Sequence, residues 1–202
     1  GEDWFLHFND KYAYGRVIFL QPVNWKTGWP VMGNDKDGDG CGEPYLTYRM
    51  PKSVSKVKVN PQESDEFNST ELGLQWQWHA NYNQLWGMPT NNGCMRLYTA
   101  DLTAIDEAGK PQPFKSLWEA GNLLLQKTPS ENFTATAKIR FASKEDDQYG
   151  GIIMMGMNYQ ALVVRRMGDN FLLQQLHCKG ADIGGIETEK TLATFKPTEK
   201  DT

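Results

Sequence analysis

The last two thirds of the sequence consist largely of short runs of β-branched, aromatic or aliphatic residues, many of them separated by turns that contain Gly, Asn or Asp. The clearest run is 133–141, whose odd positions are all apolar and whose even positions are Thr, Thr, Lys and Arg. A period of two places one face of a strand in a core and the other in water. Further runs follow at spacings of roughly ten residues, which is typical of an antiparallel β-sandwich. They are 150–157, 161–166, 170–178 and 191–195.

Helix signals are sparse. Only residues 116–120 combine a helix start with a stop, and they span a single turn. The chain has 202 residues with 39% hydrophobic content, which suffices for one ordinary core and one fragment of a second domain. The sequence therefore predicts an all-β protein whose main domain is a sandwich.

Charge and hydropathy exclude two classes of partner. The net charge is -4, with acidic and basic residues interspersed, so neither nucleic acid nor an anionic membrane surface is an expected partner. No apolar run approaches the roughly 20 residues that span a bilayer. The N-terminal Gly1-Glu2-Asp3-Trp4 has no initiator Met and no basic-then-apolar leader, which predicts a chain cut from a longer protein or processed.

The first part of the chain has a different pattern. Residues 4–8 and 15–21 are β-rich runs separated by the turn residues Asn9-Asp10-Lys11, which predicts a hairpin. A tight turn at 24–30, with a tryptophan on each side, follows it. We predict three segments: an N-terminal segment 1–50, a Lys, Ser, Pro and Glu-rich linker 51–66, and the sandwich 67–202.

The sequence contains none of the motifs of a self-contained active site. It has no G-x-S-x-G elbow, no P-loop and no G-x-G-x-x-G opening a helix. The three histidines adjoin apolar runs and lie far apart, which favours partly buried, hydrogen-bonded roles; they are His7, His79 and His177. The three cysteines lack C-x-x-C spacing, so no zinc site is expected. Either one disulfide with one free thiol or three free thiols is compatible with the sequence; the cysteines are Cys41, Cys94 and Cys178.

The stretch Asp35-Lys36-Asp37-Gly38-Asp39-Gly40 has the D-x-D-x-D-G spacing of a calcium loop. In such a loop alternate carboxylates converge on a hard cation, and glycine allows the sharp turn. Leu46 occupies the twelfth loop position, where an EF-hand has a bidentate glutamate, so an EF-hand is excluded. Two alternatives remain: a looser calcium site on Asp35, Asp37 and Asp39, and a solvated acidic turn, which is favoured.

Aromatic residues offer a second kind of site. Aromatic faces stack on sugar rings, although large aromatic residues in a sandwich more often belong to the core. The tryptophans considered for a sugar-binding groove are Trp76, Trp78, Trp86 and Trp118. In the run 74–79, a period of two separates Trp76 and Trp78 from the opposite face, which carries Gln75, Gln77 and His79. We predict that the tryptophans are core and that the Gln and His face makes the substrate contacts.

Several blocks of this sequence resemble glycoside hydrolase family 43, and more narrowly its bacterial β-xylosidase and α-L-arabinofuranosidase branch with a C-terminal concanavalin A-like sandwich. The blocks are 14–25, 28–31, 35–44, 72–79 and 122–127. They occur in the family's order and spread over most of the chain.

The resemblance implies a parent enzyme that hydrolyses terminal xylosyl or arabinofuranosyl linkages of plant hemicellulose with inversion, using carboxylates that flank the bond. It implies that residues 1–50 hold the last strands of a five-bladed β-propeller and the acidic connecting loop. The catalytic carboxylates would then precede Gly1, and the sandwich would continue past Thr202. Catalytic residues are thus expected to be absent from this chain, which would be inactive alone.

The resemblance also implies the partners and the compartment. The partners would be a xylo- or arabino-oligosaccharide and the missing propeller domain of the same protein, in the periplasm or secreted from a bacterium. No cofactor is required for the chemistry, and calcium is possible. Arg16 matches the family's late Gly-Arg motif, so it would contact the innermost sugar with forked donors. The alternative is a non-catalytic carbohydrate-binding or structural β-sandwich module.

Overall fold

The computed structural model of the chain describes residues 1–26, 28–52, 57, 59–105 and 107–196. Within these residues the fold is β throughout, apart from three single-turn 3-10 helices; these are Tyr12–Tyr14, Leu117–Glu119 and Ala181–Ile183. The all-β prediction is therefore confirmed, and the helical turn predicted at 116–120 is present as the second of these 3-10 helices. No helix in the described ranges is long and apolar enough to cross a membrane.

The chain divides into two compact units. Unit 1 comprises Gly1–Pro61 with Thr128–Glu131, and unit 2 comprises Gln62–Lys127 with Asn132–Thr202. The segment boundaries at 50 and 66 stay predictions, because compactness alone does not distinguish a linker from a domain edge. Three predicted features fall partly outside the described residues: the tight turn at Thr27, the linker at 53–56 and 58, and the end of the sandwich at 197–202.

Unit 1 is built on a three-stranded antiparallel sheet in the order β1-β2-β3. Its strands are β1 (Trp4–Asp10), β2 (Arg16–Asn24) and β3 (Val31–Met32). The predicted hairpin is confirmed, with Trp4 opposite Pro22 and Asp10 opposite Arg16. The chain reverses slightly later than predicted, where Lys11 N donates to Gly15 O at 2.8 Å and Gly15 adopts a φ of 70°.

Both faces of the unit 1 hairpin carry apolar side chains. Leu6 and Leu20 face each other on one side, and His7 and Phe19 on the other. Leu6 is 65% exposed and Phe19 is 43% exposed, so each face keeps an exposed apolar side chain within the described chain. A sheet that is apolar on both faces is typical of a strand pair buried on both sides.

Unit 2 begins with three short antiparallel ladders, each of two strands. Their strands are β4 (Gln77–Trp78), β5 (Gly87–Pro89), β6 (Met95–Leu97), β7 (Ala104–Ile105), β8 (Pro111–Gln112) and β9 (Leu124–Leu125). β4 pairs with β9, β5 with β6, and β7 with β8. The predicted strand at 74–79 is thus limited to Gln77–Trp78, because residues 73–76 form a turn in which Trp76 N donates to Gly73 O at 3.1 Å.

The centre of unit 2 is a four-stranded antiparallel meander in the order β10-β11-β12-β13. Its strands are β10 (Tyr149–Met154), β11 (Tyr159–Met167), β12 (Asn170–Cys178) and β13 (Thr188–Phe195). These correspond to the four runs predicted after residue 150. One face of the meander packs against the two 3-10 helices of unit 2 and forms the core; its buried members are Leu117, Ala120, Tyr159, Ala161, Val163, Leu176, Cys178 and Ala181.

The strand predicted most clearly, at 133–141, is not formed. No described residue pairs with this segment, and residues 133–140 are all exposed. A period of two provides the right side-chain alternation but not the backbone partner that a ladder requires. Only the end of the segment is anchored, where the ring of Phe141 meets that of Phe171 edge-on at 5.9 Å.

Candidate functional site

The acidic loop of unit 1 brings its three predicted carboxylates together. One carboxylate oxygen from each of Asp35, Asp37 and Asp39 lies within 4.8 Å of the others. The same carboxylates also accept backbone hydrogen bonds: Asp35 from Gly38 N at 2.8 Å, and Asp39 from Cys41 N at 2.7 Å. The loop is therefore organised by its own backbone, and the convergence of three carboxylates fits a calcium ion in charge and ligand type.

The base of this loop is closed by a two-residue β-bridge. Asn34 N donates to Glu43 O at 2.8 Å, and Glu43 N donates to Asn34 O at 3.0 Å. The flanking glycines are required by space, because a Cβ on Gly33 would lie 2.2 Å from Glu43 O and one on Gly42 would lie 1.8 Å from Met32 O. No comparable contact exists at Gly38 or at Gly40.

Arg16 opens β2 at the turn end of the hairpin and is exposed. Its guanidinium carbon lies 5.1 Å from the centroid of the Phe8 ring, a cation–π geometry. No carboxylate pairs with Arg16 among the described ion pairs. The planar donors of this side chain thus keep their capacity for an external oxygen ligand.

The Gln and His face predicted on the run 74–79 is not one continuous surface. Gln75 Nε2 donates to Asp65 Oδ2 at 3.2 Å, and Gln77 is exposed on β4. His79 Nε2 lies 3.1 Å from Trp118 O, with its ring edge-on to the Trp118 indole. Only Gln77 has its side chain freely exposed, and substrate contact by the three residues stays a prediction.

The remaining residues that the sequence analysis considered are a histidine, a tryptophan and three cysteines. His7 is stacked between Phe5 and Phe19, with ring centroids at 5.4 and 5.6 Å, and its buried Nε2 has no hydrogen-bond partner in the described chain. Trp76 Nε1 donates to Asp65 Oδ2 at 2.8 Å. All three cysteines are free thiols, two exposed and one buried; they are Cys41, Cys94 and Cys178.

A depression of about 530 Å³ in unit 2 contains Trp86, one of the tryptophans considered for a sugar-binding groove, whereas the rest of its lining was not predicted from the sequence. It is lined by an amide-rich turn and two aromatic rings; the residues are Asn81, Tyr82, Asn83, Gln84 and Trp86. The turn itself is recognisable, since Asn83 Oδ1 accepts the Leu85 N–H at 2.9 Å, as an Asx turn does. Trp78 of β4, which was also considered for such a groove, stacks on Tyr82 from another element.

A polar pair connects the meander of unit 2 to the 3-10 helix at 117–119. Tyr159 donates to a carboxylate oxygen of Glu187, and its hydroxyl oxygen accepts the Leu117 N–H at 2.8 Å. Burial raises the pKa of Glu187 above its usual value, and burial also raises the pKa of Tyr159. Tyr159 is buried in the core and Glu187 is half-buried at its edge, so the pair connects elements of unit 2.

Comparison with known proteins assigns the family. Residues 64–199 match the model of the beta xylosidase C-terminal concanavalin A-like domain. A beta-xylosidase of Formosa agariphila is 31% identical over 176 residues, which cover 80% of this chain and 30% of that protein. A non-reducing end alpha-L-arabinofuranosidase of Bacteroides ovatus is 29% identical over 166 residues, which cover 79% of this chain and 28% of that protein.

Solved structures agree on the fold. The xyloglucan-locus GH43B protein of Bacteroides ovatus superposes with a TM-score of 0.64 at 22% identity, covering 98% of this chain and 39% of that one. This chain thus spans about a third of the length of the proteins that it matches. With the family match extending over most of unit 2, the chain belongs to the beta xylosidase C-terminal concanavalin A-like domain family of family 43 glycoside hydrolases.

Proposed function

We propose that this chain is the C-terminal part of a glycoside hydrolase that cleaves terminal xylosyl or arabinofuranosyl linkages of plant hemicellulose with inversion. In this proposal unit 2 braces a catalytic β-propeller and shapes access to its active site. The observation that carries the proposal is the family match over residues 64–199. The relatives named beta-xylosidase and alpha-L-arabinofuranosidase support the substrate class.

The two-sided apolar hairpin of unit 1 supports a place for residues 1–50 in the propeller. Central strands of a propeller blade are covered on both faces by neighbouring blades, so both faces are apolar. Leu6 and Phe19 are exposed on opposite faces of this hairpin, as expected for a strand pair whose neighbours come from the missing propeller domain.

The proposal is tested by comparing turnover of the 202-residue chain with that of its full-length parent on 4-nitrophenyl β-xyloside and α-L-arabinofuranoside. We expect turnover by the parent and none by the chain, because the two catalytic carboxylates of such an enzyme lie in the propeller. The anomer first released, read by proton NMR, is expected to show inversion. Turnover by the chain alone, or a retained anomer, contradicts the proposal.

Arg16 is proposed to contact the innermost sugar in the parent. Replacing Arg16 with Ala in the parent is expected to lower kcat/KM about 100-fold, the loss typical of one charged donor at a reacting sugar. Arg49→Ala is the matched control, since Arg49 belongs to the same unit and pairs with Glu2. Equal effects of the two substitutions contradict a substrate role for Arg16.

Calcium binding by Asp35, Asp37 and Asp39 is a separate proposal, as is a periplasmic or secreted location. Calcium is expected to shift the amide NMR signals of Gly38 and Gly40, whose N–H groups now donate to Asp35. Asp37→Asn is expected to weaken this response without unfolding the loop, because the β-bridge at its base remains. Equal responses to calcium and magnesium, or none, identify a solvated acidic turn.

The second candidate function is a non-catalytic carbohydrate-binding module. The observation that favours it is the depression beside Trp86, whose lining of amides and aromatic rings suits a sugar. The alternative carbohydrate-binding surface for such a module is the predicted face of Gln75, Gln77 and His79. Because only Gln77 is freely exposed there, Gln77→Ala is the substitution that tests it.

A further inference from the structure

The depression in unit 2 has a stacking surface. Tyr82 is 56% exposed, and one side of its ring stacks on Trp78, with centroids 5.5 Å apart and planes 30° apart. The exposed area of the ring therefore lies mainly on its other side, toward the solvent. An exposed aromatic face of this kind contacts the C–H groups on the apolar side of a sugar ring.

The polar groups around this surface are neutral amides. Asn81 and Gln84 are exposed, and their side chains form no hydrogen bond with other described residues. The side-chain oxygen of Asn83 accepts the Leu85 N–H in the turn, so the side-chain NH2 group remains available to a ligand. An amide both donates and accepts, as a sugar hydroxyl does, and no charged residue lines the depression. The lining thus suits a neutral ligand with several hydroxyl groups.

The floor of the depression is held in place by its surroundings. Trp86 N donates to Asn83 O at 2.9 Å, and Trp86 O accepts Tyr98 N–H at 2.9 Å. The indole packs 5.7 Å from Trp78 and directly over Gly121, where a Cβ would lie 2.8 Å from Trp86 Cη2. A site that is formed before the ligand arrives loses less conformational entropy on binding.

From these contacts we infer that the depression is a non-catalytic site for one sugar unit of a neutral saccharide. Tyr82 provides the stacking face, and Asn81 and Gln84 provide the hydrogen bonds. The depression is open to solvent, so it would contact the sugar from one side. The choice of a pentose as that sugar rests on the proposed function, whereas the site itself rests on the geometry. An open site with one stacking face predicts a dissociation constant on the order of 1 mM or weaker.

The test is an NMR titration of the 202-residue chain with xylotriose and, separately, with arabinotriose. We expect saturable shifts of the Asn81 and Gln84 side-chain amide signals with at least one of the two sugars. Tyr82→Ala is expected to weaken binding about tenfold or more, and Gln84→Ala several-fold. Tyr82→Phe keeps the ring and loses only the bond from Tyr82 Oη to Gly87 O, so binding is expected to be retained.

Gln160→Ala is the matched control for Gln84→Ala, because Gln160 is an exposed glutamine of unit 2 that does not line the depression. NMR shifts that map to Gln77 and vanish in Gln77→Ala overturn the inference. They would place the binding site on the predicted face of Gln75, Gln77 and His79. Binding unchanged by Gln84→Ala and Tyr82→Ala, equal shifts with glycerol, or no saturable shift also overturn it. None of these results bears on turnover by the full-length parent, so the proposed function is tested independently.

Discussion

The sheets of unit 1 and unit 2 differ in how far their faces are buried within the described residues. The meander of unit 2 buries one face against the 3-10 helices at 117–119 and 181–183, with Leu176 fully enclosed. The hairpin of unit 1 has apolar side chains on both faces, and both faces keep exposed members within the described chain, although Gln21 near one end is buried. A regular strand ladder therefore does not by itself indicate an independent core. Stability is expected to come from burial in unit 2 and from local hydrogen bonds in unit 1.

The largest effect is expected from the core of unit 2. Leu176→Ala removes a side chain that is 0% exposed, which typically lowers the free energy of unfolding by about 2–5 kcal/mol. Leu162→Ala is the control on the neighbouring strand, where Leu162 is 47% exposed, and is expected to cost less than about 1 kcal/mol. Urea denaturation followed by circular dichroism measures both. Equal losses contradict a core confined to one face of the meander.

A smaller effect is expected from the hydrogen bonds of unit 1. Gln21 is buried, accepts Tyr45 N–H at 2.9 Å and donates from Nε2 to Tyr45 O at 3.2 Å. Gln21→Leu removes both bonds and is expected to cost about 1–3 kcal/mol. Faster hydrogen exchange at Tyr45, with unchanged exchange in the meander, is the expected readout. Acceleration in both units would show that they open together and would break the comparison.

The half-buried carboxyl of Glu187 in unit 2 adds a dependence on pH. Burial raises the pKa of Glu187 in the folded chain, so folding favours its protonated form. The associated stability is fully present below the unfolded pKa and is lost as pH rises through the folded pKa. Glu187→Gln cannot ionise, so its urea midpoint is expected to fall less than that of the wild type over this window. If the urea midpoints of the wild type and of Glu187→Gln change in parallel with pH, the raised pKa of Glu187 is contradicted.

The smallest effect is expected in the segment 133–141. Ile139 is 47% exposed and lies in a stretch without a ladder partner among the described residues, so Ile139→Ala is expected to cost about 0.5 kcal/mol or less. Thermal denaturation of the variant measures the change. A loss comparable to that of Leu176→Ala would show that the segment is a core strand after all, as the sequence alone predicted.

Local pattern predicted the elements that pair with a sequence neighbour. The hairpin at 4–24 and the meander after 149 were found because their turns, such as Gly168-Asp169, join strands that pair with each other. The prediction of a strand at 133–141 was wrong because alternation of apolar and polar residues does not reveal whether a neighbouring strand exists to pair with it. The acidic loop was predicted from spacing alone. For the depression, the sequence indicated Trp78 and Trp86 as candidates but not the exposed ring of Tyr82 or the amides beside it, because no local pattern relates that turn to Trp78 on β4.

The bridge between Asn34 and Glu43 has a consequence for protein engineering. Gly33 and Gly42 admit no side chain beside this bridge, whereas Gly38 and Gly40 at the loop tip meet no atom that a Cβ would touch. The closed base fixes the ends of the loop at a constant separation, whatever the tip contains. A tag or a reporter peptide inserted between Gly38 and Gly40 is therefore expected to leave the strands on either side unchanged, which makes the loop a natural point of attachment.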